Sequence, residues 1–126
     1  MTITTVFVGL LSLFFLFASS VKILGWQKFI FETQLQMFIK YGLNRTIMAL
    51  VGFAELFGAI AIWWQGDLLG GIGALVLLGT SLGAIACHLI WDTWKDGVPA
   101  MITGSLSAVV AYSGRDVILA LFVEAG

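Results

Sequence analysis

Four runs of apolar residues, 3–21, 47–64, 68–91 and 98–114, decide most of what this chain can become. They hold 19, 18, 24 and 17 residues, and an α-helix needs roughly 17–25 to cross the hydrocarbon of a bilayer. Only 10% of the 126 residues are charged, whereas a soluble domain carries about 25%. There is too little polar material for a watery exterior, so the expected exterior is lipid. Backbone groups in lipid must be satisfied within a helix or a closed barrel. The alternating pattern of barrel strands is missing, which leaves helices. The expected fold is all-α: a transmembrane four-helix bundle forming one integral membrane domain, 1–126.

The connections refine this picture. "QGD" (65–67) is a tight turn that makes the second and third runs antiparallel neighbours. "DTWKDG" (92–97) joins the third to the fourth, and Pro99 suits the first turn of the helix that follows. The stretch 27–41 differs in kind. Lys28, Glu32, Gln36 and Lys40 recur every four positions, with Phe31, Leu35 and Phe38 on the opposite face. Such an amphipathic helix is expected to lie in the membrane interface. The first run ends in small residues, "FASS", as a signal peptide does, but it lacks a basic leader and reads as a membrane helix. Lys22, Lys28, Lys40, Arg45 and Lys95 fall in or beside the first and third connections, against Arg115 alone on the other side. By the positive-inside rule the basic side is cytoplasmic and both termini are extracytoplasmic. Trp26, Trp63, Trp64, Trp91 and Trp94 mark segment ends, as an aromatic belt requires. Arg115 and Asp116 either end the last helix or lie in its outer third. Because 17 residues suffice to span, the helix is expected to end there, followed by a short apolar tail.

Several chemistries are excluded. A net charge of −1 leaves no basic footprint for nucleic acid. A single cysteine, Cys87, permits neither an internal disulfide nor a CxxC pair. One histidine beside it falls short of a protein zinc site, so no metal is expected. What remains is Glu55, with no charged residue within nine positions on either side. An acidic side chain near mid-bilayer costs about 2.5–3.5 kcal/mol, and intramembrane ionisable groups mark function by default. Gly52, Gly58 and Ala59 share its helix face, and small residues let another helix approach. Glu55 is therefore expected inside the bundle, protonated or paired. Ser81, Ala84, His88 and Asp92 form one stripe of the third run, with His88 about 9 Å from Glu55 in depth. Lys22 can reach inward on its long stem. Lys22, Glu55 and His88 form the candidate polar site, opening toward the cytoplasm. Plainer roles exist for two of them: a snorkelling topogenic charge for Lys22 and an interfacial hydrogen-bonding residue for His88. Gly73, Gly83, Gly104 and Ser107 read as packing surface.

"VKILGWQKF" (21–29), "YGL" (41–43), "GFAELFGAIAI" (52–62) and "GAIACHL" (83–89) resemble the DoxX-like family of small four-helix membrane proteins. The resemblance spans roughly residues 10–112 and picks out Lys22, Gly25, Glu55, Gly58, Ala59, Gly83, Ala84 and His88. It implies a four-helix bundle and a supporting role in membrane redox chemistry, since the family's name comes from a subunit associated with a thiosulfate:quinone oxidoreductase. Animal relatives act as assembly chaperones. The similar bundle of the vitamin K epoxide reductase type uses paired cysteines and a quinone, a pair that this chain lacks. Two functions are expected on this basis. One is an accessory subunit whose cavity, walled by Phe14, Phe15, Trp63 and Trp91, binds a quinone or another lipophilic molecule beside a redox partner. The other is a non-enzymatic assembly factor acting through helix–helix contacts. No cofactor motif or nucleophile–base pair is legible, so catalysis by this chain alone is not expected. Membrane lipid and either a membrane protein partner or a second copy are the expected company.

Overall fold

The computed structural model describes residues 2–125, and among them every regular element is helical. The order is α1 (Ile3–Leu24), α2 (Lys28–Lys40), α3 (Arg45–Ala61), α4 (Leu68–Trp91), α5 (Val98–Ser113) and α6 (Arg115–Ala125), with a 3₁₀ turn at Trp94–Gly97. By length and composition α1 and α4 can each cross a membrane, and α2 with α3 forms a third apolar pair bent by 114°. With 17 and 16 residues, α3 and α5 are about 26 and 24 Å long at 1.5 Å per residue. The hydrocarbon core is about 30 Å thick.

Local chemistry explains the helix ends. α1 runs on to Leu24, beyond the expected 21, and stops at Gly25, whose φ of +66° lets its N–H return to the Val21 carbonyl. α3 starts at Arg45 because the Asn44 side chain accepts from Ile47 N. It ends at Ala61 rather than 64, since residues 62–64 wind into a turn with Trp64 N donating to Ala61 O. That turn is tight enough that a Cβ on Gly70 would lie 2.1 Å from the Trp64 carbonyl oxygen. Beyond Ser113 the expected apolar tail is a separate helix. α6 departs at Gly114 and lays Ile118 against Gly71 of α4.

α1 packs on α3 and α5, and α4 packs on the same two helices, so the four close into a ring. Val8, Leu11, Phe15, Ala59, Ala74 and Leu77 lie in its core. Glycines set the helix spacing: a Cβ on Gly58 would stand 2.6 Å from Leu77 Cδ2, and one on Gly73 would stand 2.7 Å from Ala61 Cβ. The buried hydroxyls are satisfied across or within helices. Ser12 donates to Ala59 O (2.9 Å), Ser81 and Thr103 share a hydrogen bond (2.9 Å), and Ser107 donates to Thr103 O (2.7 Å). Large aliphatic side chains point outward instead, Leu13 and Ile90 among them, as helices in lipid arrange them.

Candidate functional site

Glu55 is turned inward between α1 and α3. Its side chain is 7% exposed, and that of Lys22 is 10% exposed. The two meet with Lys22 Nζ 3.0 Å from Glu55 Oε1. Oε1 is enclosed, with the ammonium as its ionic neighbour. In a poorly screened interior two opposite charges at this distance attract strongly, while each has lost its hydration. Gly52 makes the meeting possible: a Cβ there would lie 2.9 Å from Lys22 Cβ and 3.4 Å from Ser19 O.

Arg45 closes the same end of α1. Its guanidinium donates to the carbonyls of Lys22 (2.7 Å) and Ile23 (2.8 Å), two of the acceptors that a helix C-terminus leaves unmet. The Phe31 ring of α2 lies 4.8 Å from that guanidinium. In the sequence Arg45 is legible only as a topogenic charge, because nothing in its neighbourhood shows that it reaches back across 22 residues.

His88 is not brought to Lys22 and Glu55. Its hydrogen-bond partners among the described residues are Tyr41 Oη and Asp92 Oδ2, at 3.1 and 3.0 Å from Nδ1. Tyr41 Oη donates to Asp92 Oδ2, and Lys40 binds Asp92 Oδ1. The assignment that satisfies all three groups has Nδ1–H donating and leaves Nε2 without a protein partner among the described residues. Lys40 and Tyr41 hold the Asp92 carboxyl below its usual range, at about 2. Burial, reinforced by the neighbouring Asp92, pushes the Tyr41 phenol up. The i,i+4 spacing of His88 and Asp92 was legible in the sequence. Tyr41, 47 residues from His88, stands out in the sequence by its place at the end of the amphipathic stretch and in the "YGL" motif, and neither points to His88.

An apolar groove of about 360 Å³ opens between α1 and α5, lined by Leu10, Leu11, Phe14, Pro99, Ile102, Thr103 and Leu106. Of the four aromatic residues expected to wall a cavity, Phe14 alone lines this one. Phe15 is in the core, and Trp63 and Trp91 are exposed at helix ends. The Thr103 hydroxyl is already engaged with Ala100 O and Ser81. Among the described residues, no cluster of three metal-ligating side chains occurs.

Long apolar helices, inward-facing small residues and an enclosed charge pair together define a helical membrane protein. Residues 6–111 match the family model of the DoxX-like family, and the chain belongs to that family. No curated protein and no solved structure matches it. The matched span takes in the Lys22–Glu55 pair, the His88 cluster and nearly all of the helix ring, and it stops before α6.

Proposed function

We propose that this chain is a multi-pass accessory subunit that seats the hydrocarbon part of a quinone, or of another lipophilic molecule, beside a membrane redox partner. The observation that carries the reading is the α1/α5 groove, whose walls are aliphatic and aromatic and whose one hydroxyl is already bonded. Such a lining takes an isoprenoid or acyl chain and offers no free donor to a quinone carbonyl. A polar headgroup would stay outside the groove, available to a partner. In this reading α1, α3, α4 and α5 all cross the bilayer, the turns at 62–67 and 94–97 completing the shorter two. α2 lies along the cytoplasmic interface, a placement supported by its 114° angle to α3 and its lack of any buried residue. Both termini are extracytoplasmic on the balance of Lys and Arg. A reporter active only in the cytoplasm that works when fused after residue 126 would overturn that orientation.

The test of function is extraction and mass spectrometry of lipophilic molecules retained by the protein after mild solubilisation. Ile102→Trp fills the groove from its α5 wall without touching the charge pair. Wild type is expected to retain a quinone or a defined lipid that the variant loses. Equal retention by both proteins overturns the reading. A stable hetero-complex that forms with the groove empty favours the assembly-factor role instead.

A further inference from the structure

α2 is attached to the rest of the molecule differently from every helix of the ring. None of its residues is buried. It is flanked by Gly25 and Gly42, with φ of +66° and +83°, the left-handed backbone that few other residues adopt. Among the described residues, nothing beyond its chain neighbours lies within 4 Å of the place a Cβ on Gly42 would take. On its inner face Gln34 Oε1 is enclosed without a hydrogen-bond partner, which weakens the closed arrangement. Besides its packing on α1 and α3, two side-chain contacts hold it down. Near its start, Phe31 rests on Arg45, whose guanidinium covers the carbonyls of Lys22 and Ile23. At its end, Lys40 and the following Tyr41 grip Asp92, the residue that caps α4, and Tyr41 also meets His88 of α4. Tyr41 also packs against Trp91, with ring centroids 5.5 Å apart.

We propose that α2 is a hinged lid over the Lys22 end of the helix ring, latched to α4 through Asp92, whose release opens the Lys22–Glu55 pair to the membrane interface. A segment with no fully buried residue and a glycine beyond each end moves as a unit at lower cost than the ring helices, so the polar bonds at its tip weigh heavily in its position. Asp92 is the centre of that latch because three side chains converge on one carboxylate whose own side chain is 10% exposed. The lid does not depend on the groove: the latch lies on α2 and α4, whereas α1 and α5 line the groove.

The test uses the full chain in lipid nanodiscs, with two readouts. One is backbone hydrogen exchange of residues 28–40, and the other is labelling of Lys22 by a membrane-impermeant amine reagent. Asp92→Asn keeps the size of the side chain and removes its charge. Tyr41→Phe is a milder second variant that removes one donor. Exchange in α2 is expected to rise about tenfold in Asp92→Asn and less in Tyr41→Phe, with α1 and α4 unchanged and Lys22 labelling rising in step. Unchanged exchange in α2 would show that the latch does not hold it. Faster exchange in α2 with Lys22 still protected would show that it covers nothing there. A rise across all helices would show that no separate hinge exists. Each of these three outcomes overturns the proposal.

Discussion

Removing Lys22 or Glu55 singly, and then both together, is the most informative perturbation of the enclosed charge pair. With side chains 10% and 7% exposed, neither charge is screened by water. Deleting one leaves the other buried and uncompensated, a situation that costs about 3–5 kcal/mol. Replacing both charges by methionine removes the penalty with the attraction, and such replacements leave proteins unchanged or up to about 4 kcal/mol more stable. Lys22→Met and Glu55→Met should therefore each be strongly destabilising, while the double variant should match wild type or exceed it. Reversible unfolding in mixed micelles with increasing SDS, followed by circular dichroism, measures all four proteins on one scale. If Lys22→Met costs under about 1 kcal/mol, or the double variant costs the sum of the singles, the two charges do not meet in the membrane and the reasoning fails. The double variant then separates structure from function. Glu55→Gln leaves the Lys22 charge uncompensated and should be destabilised much as Glu55→Met is, whereas loss of ligand or partner by the double variant at undiminished stability would give the charge pair a role beyond packing.

Four further outcomes are expected. Gly58→Ala should cost about 1–3 kcal/mol, because its Cβ would lie 2.7 Å from Leu77 Cγ and 3.1 Å from Gly73 O. Gly79→Ala, with nothing within 4 Å, should leave the same unfolding curve unchanged or shift it by up to about 1 kcal/mol in the stabilising direction. Arg45→Met should cost about 2–3 kcal/mol in that assay, since it strips two charged donors from the last carbonyls of α1. The Asp92 carboxyl, followed by carbon NMR in selectively labelled protein, should titrate near 2 rather than at the ordinary 3.8. Its folded-state value lies below the free one, so the stabilisation is complete above 3.8 and fades as pH falls toward 2. A midpoint at or above 3.8 would show that Lys40 and Tyr41 do not engage it.

The apolar runs were legible because length and hydrophobicity are properties of a segment by itself, and α1 and α4 need nothing more. The end of α3 was not legible in the same way. Tryptophan continues an apolar count through 64, while the chain turns at 62 to let Gly70 under the Trp64 carbonyl. Glu55 could be turned inward on paper because Gly52, Gly58 and Ala59 mark one face of a single helix. His88 could not be placed that way. Its neighbours depend on where α2 returns to the bundle, and the residue that reaches it, Tyr41, comes from a stretch whose periodicity speaks only of an interface. The groove was still less legible, since it is a shortfall of packing between α1 and α5 and no residue type announces it.

The geometry of the charge pair is set less by the charges than by the glycines around them. Gly52, Glu55 and Gly58 follow one another at intervals of three on α3. Gly52 admits α1 at Lys22, and Gly58 admits α4 at Leu77. Glu55 thus lies between two points at which a neighbouring helix comes close to α3, and it is buried there. Any side chain at 52 would meet Lys22 Cβ at 2.9 Å and push the Lys22 ammonium away from the Glu55 carboxylate that it neutralises. Tight approach and charge neutralisation are therefore a single requirement at this point in the fold, met within seven residues of α3. All seven, with Lys22, lie inside the span that places the chain in the DoxX-like family. α6 lies outside it: its seat on Gly71 is at the α3–α4 turn, whereas Gly52 and Lys22 are at the opposite end of the ring, near the starts of α3 and α2. Whatever α6 adds is an addition to an arrangement already complete without it.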